Sequence, residues 1–228
     1  MEYSLHRELK QRYAGPEART EVPLAGYRVD AVRPDTLIEI QHGSLGAIQT
    51  KVARLLESHR VLVVKPIVVR KILVQQTDRS GEVRSRRKSP KQGQVADLFL
   101  DLVHFTRVFP HASLTLEVPL VDIEEWRYPG HGRRRRRRER DHQVEDQKLL
   151  DVHQTITLRR AADLLTLLNV ELPATFHTAD LAQAMQVPRW LAQKVAYCLR
   201  QTGAVKMLGK QGNALMYGLP KKRTRRSA

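Results

Sequence analysis

A single cysteine stands among the 228 residues, so no internal disulfide can form and a disulfide-built secreted scaffold is excluded. Cys198 falls on the apolar face of a helical pattern and reads as core. One thiol also excludes a cysteine-based zinc site, and the nine histidines show no pair at metal-ligand spacing on one helix. No G-x-x-x-x-G-K-[ST] loop is present, which removes triphosphate hydrolysis by that route. Long apolar runs are missing as well. The first residues, MEYSLHRELK, lack the core of a signal peptide, and no segment approaches a membrane span, so a cytoplasmic protein with no membrane partner is expected. Acid is scarce: 24 Asp and Glu stand against 40 Lys and Arg, a formal net charge of +16 with a pI near 10.4. That balance favours a polyanionic partner, although a ribosomal or nucleoid protein would carry it too.

What is present begins with Tyr27 to Gln41, YRVDAVRPDTLIEIQ. Residues 27–32 and 36–41 are rich in β-branched and apolar types, and Arg33-Pro34-Asp35 is turn chemistry, so a β-hairpin is predicted. With Pro34 and Asp35 at the tip, opposed residues sum to 69, and Asp30 faces Glu39. Alternation puts Gln41 on the face of Glu39 and sends Val29, Ala31, Ile38 and Ile40 to the other. Like charges directly opposed are destabilising, which suggests a cation between the two carboxylates. The alternative is a solvated hairpin face.

Around the hairpin, residues 3–13 read as a helix and 20–25 as a strand. Ser44 can cap a helix through Leu45, Ile48, Val52, Leu55 and Leu56, and Arg60 to Ile67 reads as a buried strand. In this α-β-β-β-α-β order, with Asp30 on the second strand and E-x-Q at Glu39 and Gln41 on the third, residues 1–125 resemble the PD-(D/E)XK nuclease superfamily. Its signature ends in lysine, and this chain has Gln41 instead. The resemblance implies Mg2+ or Mn2+ held by Asp30 and Glu39, with Gln41 orienting water or metal. Lys51, at the edge of the following helix, would replace the motif lysine, and Glu8 would match the acidic residue that many members place on the first helix. Lys51 also reads as an ordinary surface lysine.

Further along, Lys71 to Gln76 is a strand candidate. The basic stretch 82–92, with Arg86, Arg87 and Lys88, reads as a hairpin arm or loop that contacts phosphates. Residues 94–109 form an amphipathic helix pattern, and Ser113 to Ile123 a strand that Pro119 should interrupt or place at an edge. A nuclease-like domain is thus expected over 1–128. A linker over 129–150 comes next, holding the run Arg133, Arg134, Arg135, Arg136, Arg137 and Arg138, which would lie along a nucleic-acid backbone without reading bases.

Residues 151–220 read as a second unit: a helix through Leu158 to Leu168, a short helix capped by Thr178, and a longer one opened by Pro188. A hairpin turned by GKQGN completes it. Three helices and a glycine-turned hairpin resemble a winged helix-turn-helix domain. Its recognition helix would present Arg189, Gln193, Lys194 and Arg200, and its wing Lys206 and Lys210. Residues 221–228, beginning Lys221-Lys222, form a basic tail. The expected fold is therefore α/β, a restriction-endonuclease-like core plus a small winged helix.

These readings converge on a metal-dependent DNA endonuclease targeted by its winged helix. The runner-up is a non-catalytic DNA-binding regulator or architectural protein on a nuclease-like fold, and an RNA-binding protein is the third class. Cutting both strands would take a homodimer or sequential nicks, and no dimer interface is legible.

Overall fold

The computed structural model describes residues 3–130 and 141–220. Among the described residues, eleven strands and six α-helices make a mixed α/β protein. The run Arg133–Arg138 and the tail Lys221-Lys222 lie outside the described residues.

Helix α1 (Ser4–Ala14) precedes a meander of β1 (Arg19–Leu24), β2 (Tyr27–Arg33) and β3 (Thr36–Ile40). Ser44 acts as the expected cap: its hydroxyl accepts the Gly46 N–H at the start of a 3-10 turn, Leu45–Ile48, which runs into α2 (Gln49–Leu55). Strands β4 (Val61–Val64) and β5 (Ile67–Gln76) then form one long line broken at Lys65-Pro66. Both run parallel to β7 (Leu114–Pro129) in the same register, Val61 opposite Leu114 and Ile67 opposite Leu120. On the far edge of that line lie β3, parallel to β4, and β6 (Val83–Lys88), antiparallel to β5. Between the end of β3 and the end of β6 the sheet is therefore notched.

Pro119 neither interrupts β7 nor lies at an edge, and the reason is local. The Lys65 N–H bonds the Glu117 carbonyl, so every second residue of β7 offers its backbone to the β4–β5 side. Residue 119 falls where β4 has ended and β5 begins, and no donor is needed there.

The expected linker over 129–150 is also corrected. His142–Leu158 is a 17-residue strand, β8, antiparallel to β7 from Leu116↔Leu158 to Pro129↔His142. Residues 151–158 thus belong to the large sheet and not to the C-terminal unit. Three register shifts leave Glu145, Leu150 and His153 as extra residues on β8, so its apolar side chains do not alternate with period two.

Helix α1 covers one sheet face, where Leu5 and Leu9 pack on Ala31, Ile38, Ile40 and Val64. The other face packs on α2 and on α3 (Leu98–Leu102), through Val52, Leu55, Phe99 and Leu102. The helix expected over 94–109 is shortened to α3 flanked by 3-10 turns, because His104, Phe105 and Val108 donate to carbonyls three residues back. Its inward residues are nonetheless buried as the pattern requires.

The C-terminal unit contains α4 (Ala161–Leu168), α5 (Thr178–Met185) and α6 (Arg189–Gln201). A three-stranded sheet completes it, in the order β10 (Lys206–Gln211), β11 (Ala214–Gly218), β9 (Thr175–Phe176). The cap of α5 is His177 and not Thr178: His177 Nδ1 accepts the Asp180 N–H, and the Asp180 carboxylate accepts the His177 N–H in return. This unit does not hang from the first. Helix α6 packs on α3, with Cys198 Sγ 4.0 Å from the Phe99 carbonyl, and a single apolar cluster runs from Val29 to Tyr217. Burial pushes the Cys198 thiol up to about 12, so the lone cysteine is inert core.

Candidate active site

The hairpin register is the one the turn predicts. Arg33 pairs with Thr36, Val32 with Leu37 and Ala31 with Ile38, so opposed residues sum to 69. Backbone pairing stops there, one step short of Asp30 and Glu39. At Asp30 the side chain replaces the strand: Oδ2 accepts the Ile40 N–H at 2.7 Å. Across β1, Glu21 has φ +54°, a left-handed backbone that costs a non-glycine residue about 1–3 kcal/mol. The sheet is thus bent at Asp30 from both sides, which explains why Val29 joins the α2-side cluster while Ala31, Ile38 and Ile40 face α1.

Glu39 is buried, its side chain 4% exposed, and Lys51 Nζ on α2 donates to its Oε2 at 2.6 Å. The same ammonium donates to the Arg28 carbonyl. Glu39 Oε1 is closed from solvent and has no hydrogen-bond partner among the described residues. Burial first, opposed by Lys51 and reinforced by the Asp30 charge, raises the Glu39 pKa from 4.5 to about 7. Asp30 is held low despite its own burial, because His6 and the Ile40 amide both bind its charged form. The two carboxylates therefore differ in protonation although the charge of one acts on the other.

This difference has a measurable consequence. The folded state holds the Glu39 proton more tightly than the unfolded chain, so its contribution to stability falls as pH rises from 4.5 to about 7. The full rise corresponds to about 3 kcal/mol. Glu39→Gln removes the titration. In metal-free denaturant unfolding, the variant should gain on wild type between pH 5 and pH 8, and a constant difference would refute the assignment.

The remaining expected site residues divide. Glu8 is not at the site: its Oε2 accepts the Leu149 N–H of β8 at 2.8 Å. The α1 side chain that reaches the site is His6, with Nε2 3.4 Å from Asp30 Oδ1. His6 and Glu8 flank the Leu5–Leu9 stripe on opposite edges, and only the sheet packing decides between them. Gln41 turns away as well, its Nε2 donating to the Ser44 carbonyl at 2.7 Å, so it holds the turn after β3.

Beyond Gln41 the notch between β3 and β6 opens into a cleft of about 1030 Å³, lined by His42, Lys65, Lys71, Arg87, Lys91 and Arg127 among others. Lys65 is buried at the break between β4 and β5, bonded to the His42 carbonyl at 3.0 Å and Asp101 at 2.8 Å. Burial, then Lys65 and Lys71, push the His42 pKa down, and His6 acts on it in the same sense. His42 also lines the cleft. Neither Lys65 nor His6 carries a motif.

On β6 the expected basic cluster splits by strand alternation. Arg87 faces the cleft, whereas Arg86 Nε is 2.9 Å from Glu124 and Lys88 is exposed opposite Ile72. In the C-terminal unit Arg189, Gln193, Lys206 and Lys210 are exposed, and Lys194 and Arg200 are half-buried.

Among the described residues no group of three His, Cys, Asp or Glu side chains is arranged to hold a metal. Two carboxylates are what the site offers. That donor set suits Mg2+, which keeps most of its waters and takes one or two protein carboxylates, and the buried Glu39 Oε1, without a partner among the described residues, fits a ligand position.

Residues 3–159 match the family described as Domain of unknown function (DUF8091), and the chain belongs to it. The match ends where β8 ends. A protein of Treponema pallidum (strain Nichols), described as an uncharacterized protein, is 33% identical over 183 residues, covering 80% of this chain and 72% of the relative. No solved structure matches. Among the described residues no helix is long and apolar enough to cross a membrane.

Proposed function

We propose that the chain is a cytoplasmic, metal-dependent DNA endonuclease with a PD-(D/E)XK core and a C-terminal winged helix. The observation that carries this reading is Glu39, buried on β3 within reach of the Asp30 charge, with one oxygen on Lys51 and the other without a partner among the described residues. The α-β-β-β-α-β order around it supports the same reading, as does the excess of cations.

Asp30 and Glu39 would hold Mg2+ or Mn2+. The ion, when bound, supplies charge neutralisation at the scissile phosphate and a more acidic water. Asp30 is kept ionised by His6 and the Ile40 amide, and Glu39 by Lys51 once the pH passes about 7. Lys51, on the helix in place of the motif lysine, stabilises negative charge that develops beside Glu39. Of the cleft cations, Lys65 is paired with Asp101, and Lys71 and Arg127 with Glu125, so Arg87 and Lys91 are the ones that would meet a phosphate backbone.

Incubating the protein with supercoiled plasmid in Mg2+, Mn2+ or EDTA tests this directly. Nicked or linear product in the metal lanes alone is expected. Tight binding without cleavage in any divalent metal would favour the non-catalytic DNA-binding reading, for which the turned-away Gln41 is the specific support.

The two basic systems should separate in affinity measured against salt. Replacing Arg133–Arg138 with Gly/Ser should weaken binding to all duplexes and flatten the salt dependence, since phosphate contacts release counterions without reading sequence. Replacing Arg189 and Gln193, both exposed on α6, should instead reduce discrimination among substrates, each lost base contact costing about 1–3 kcal/mol. Unchanged preferences would make the C-terminal unit a protein-docking module.

A further inference from the structure

Helix α6 buries Leu191, Ala192, Val195, Ala196, Cys198 and Leu199, which leaves one narrow stripe for solvent. On it stand Trp190, 54% exposed, and Tyr197, 40% exposed. They are seven residues apart, nearly two full turns, and so share a face about 10 Å long. The Arg200 guanidinium lies 5.9 Å from the Tyr197 ring centre, and its Nη1 is 4.0 Å from the sulfur of Met207 on β10, itself 51% exposed. Arg189 and Lys194 flank the stripe. After Asp180 the sequence holds no Asp or Glu at all.

Each of these features narrows the occupant. A reader of duplex grooves works through polar side chains that reach base edges, and a half-exposed indole offers flat apolar area instead. Flat rings set among cations, on a helix and hairpin that hold no Asp or Glu, match a polyanion whose own flat faces are open. Paired bases hide those faces and unpaired ones present them. An acidic peptide would satisfy the charge but leave the rings without stacking partners.

We propose that the α6 face carrying Trp190 and Tyr197 binds unpaired nucleotide strands, the bases stacking on the two rings and the phosphates meeting Lys194 and Arg200. The proposal rests on the reading of the C-terminal unit as a nucleic-acid module and narrows its target to single-stranded or partly unwound substrates. It is independent of cleavage.

The chain has two tryptophans, so Trp126→Phe leaves Trp190 as the sole indole reporter. In EDTA, a single-stranded dT oligonucleotide should quench its fluorescence saturably, and a blunt duplex of equal length much less. Trp190→Ala should weaken single-strand affinity, read by anisotropy of the labelled oligonucleotide, by roughly tenfold, while Trp190→Phe largely restores it. Far-UV dichroism of both variants confirms that a half-exposed site was changed without loss of fold. Equal quenching by duplex, with unchanged affinity in Trp190→Ala, would overturn the proposal and leave the duplex-binding reading standing. Quenching by polyglutamate in place of dT would overturn it too and assign the face to a protein partner. No binding of either nucleic acid would overturn both readings together.

Discussion

Alanine at Asp30 or at Glu39 should reduce metal-dependent plasmid cleavage by a factor on the order of 10³, with duplex affinity within a few-fold of wild type. The separation has a geometric cause. The two carboxylates sit at the bend between β2 and β3, whereas the cations that would meet phosphate lie along the cleft and on the C-terminal unit. Lys51→Ala should behave differently from either. Lys51 lowers the Glu39 pKa, so its removal lets Glu39 keep its proton to higher pH. The pH at which cleavage sets in should therefore move upward, in addition to a loss on the order of 10²-fold from the missing positive charge. A Lys51→Ala enzyme with wild-type rate and pH profile would make the lysine an ordinary surface residue. Cleavage that survives Asp30→Ala and Glu39→Ala alike would remove the metal site altogether.

The second large effect concerns how the two parts of the chain are joined. Phe99 is fully buried on α3 and its carbonyl faces Cys198 on α6. Truncation to alanine should cost about 3–5 kcal/mol and lower the melting temperature by roughly 10 °C. Because one apolar cluster serves both units, they should still melt together. Trp126 sits on β7 and Trp190 on α6, so Trp126→Phe and Trp190→Phe each leave one reporter. Coincident transitions from the two are expected in the Phe99→Ala background, and two separated transitions would restore the picture of a linker between independent domains.

A linker is what the local pattern of residues 129–150 suggests, and the reason it fails is physical. The hairpin from Tyr27 to Ile40 was legible because its signals are local: β-branched strands, a Pro-Asp tip, a register fixed by loop length. The Ser44 cap and the 3.6-residue stripe of α6 were legible for the same reason. Strand β8 was not, because the extra residues Glu145, Leu150 and His153 shift its apolar positions between faces, and six arginines stand just before it. Such bulges have no signature until the partner strand is known. The candidate site shows the same division. Asp30, Glu39 and Lys51 emerge from spacing within one hairpin and the next helix. His6, Lys65 and the cleft depend on how α1 and the broken β4–β5 strand meet the sheet.

Glu8 illustrates what a residue does when it leaves an expected role. Its carboxylate accepts the Leu149 N–H of β8, and at the start of the same helix Ser4 donates through its N–H and hydroxyl to Asp146. Among the described residues strand β8 pairs with β7 alone, so its outer border would otherwise present a row of open donors and acceptors to any extended chain. Helix α1 occupies that border at two points, and the three bulges bend what remains. The β8 border is thereby protected against strand addition, which leaves β1 and β6 as the terminal strands of the sheet. If two copies cooperate to cut both strands of a duplex, they have to meet away from the β8 border.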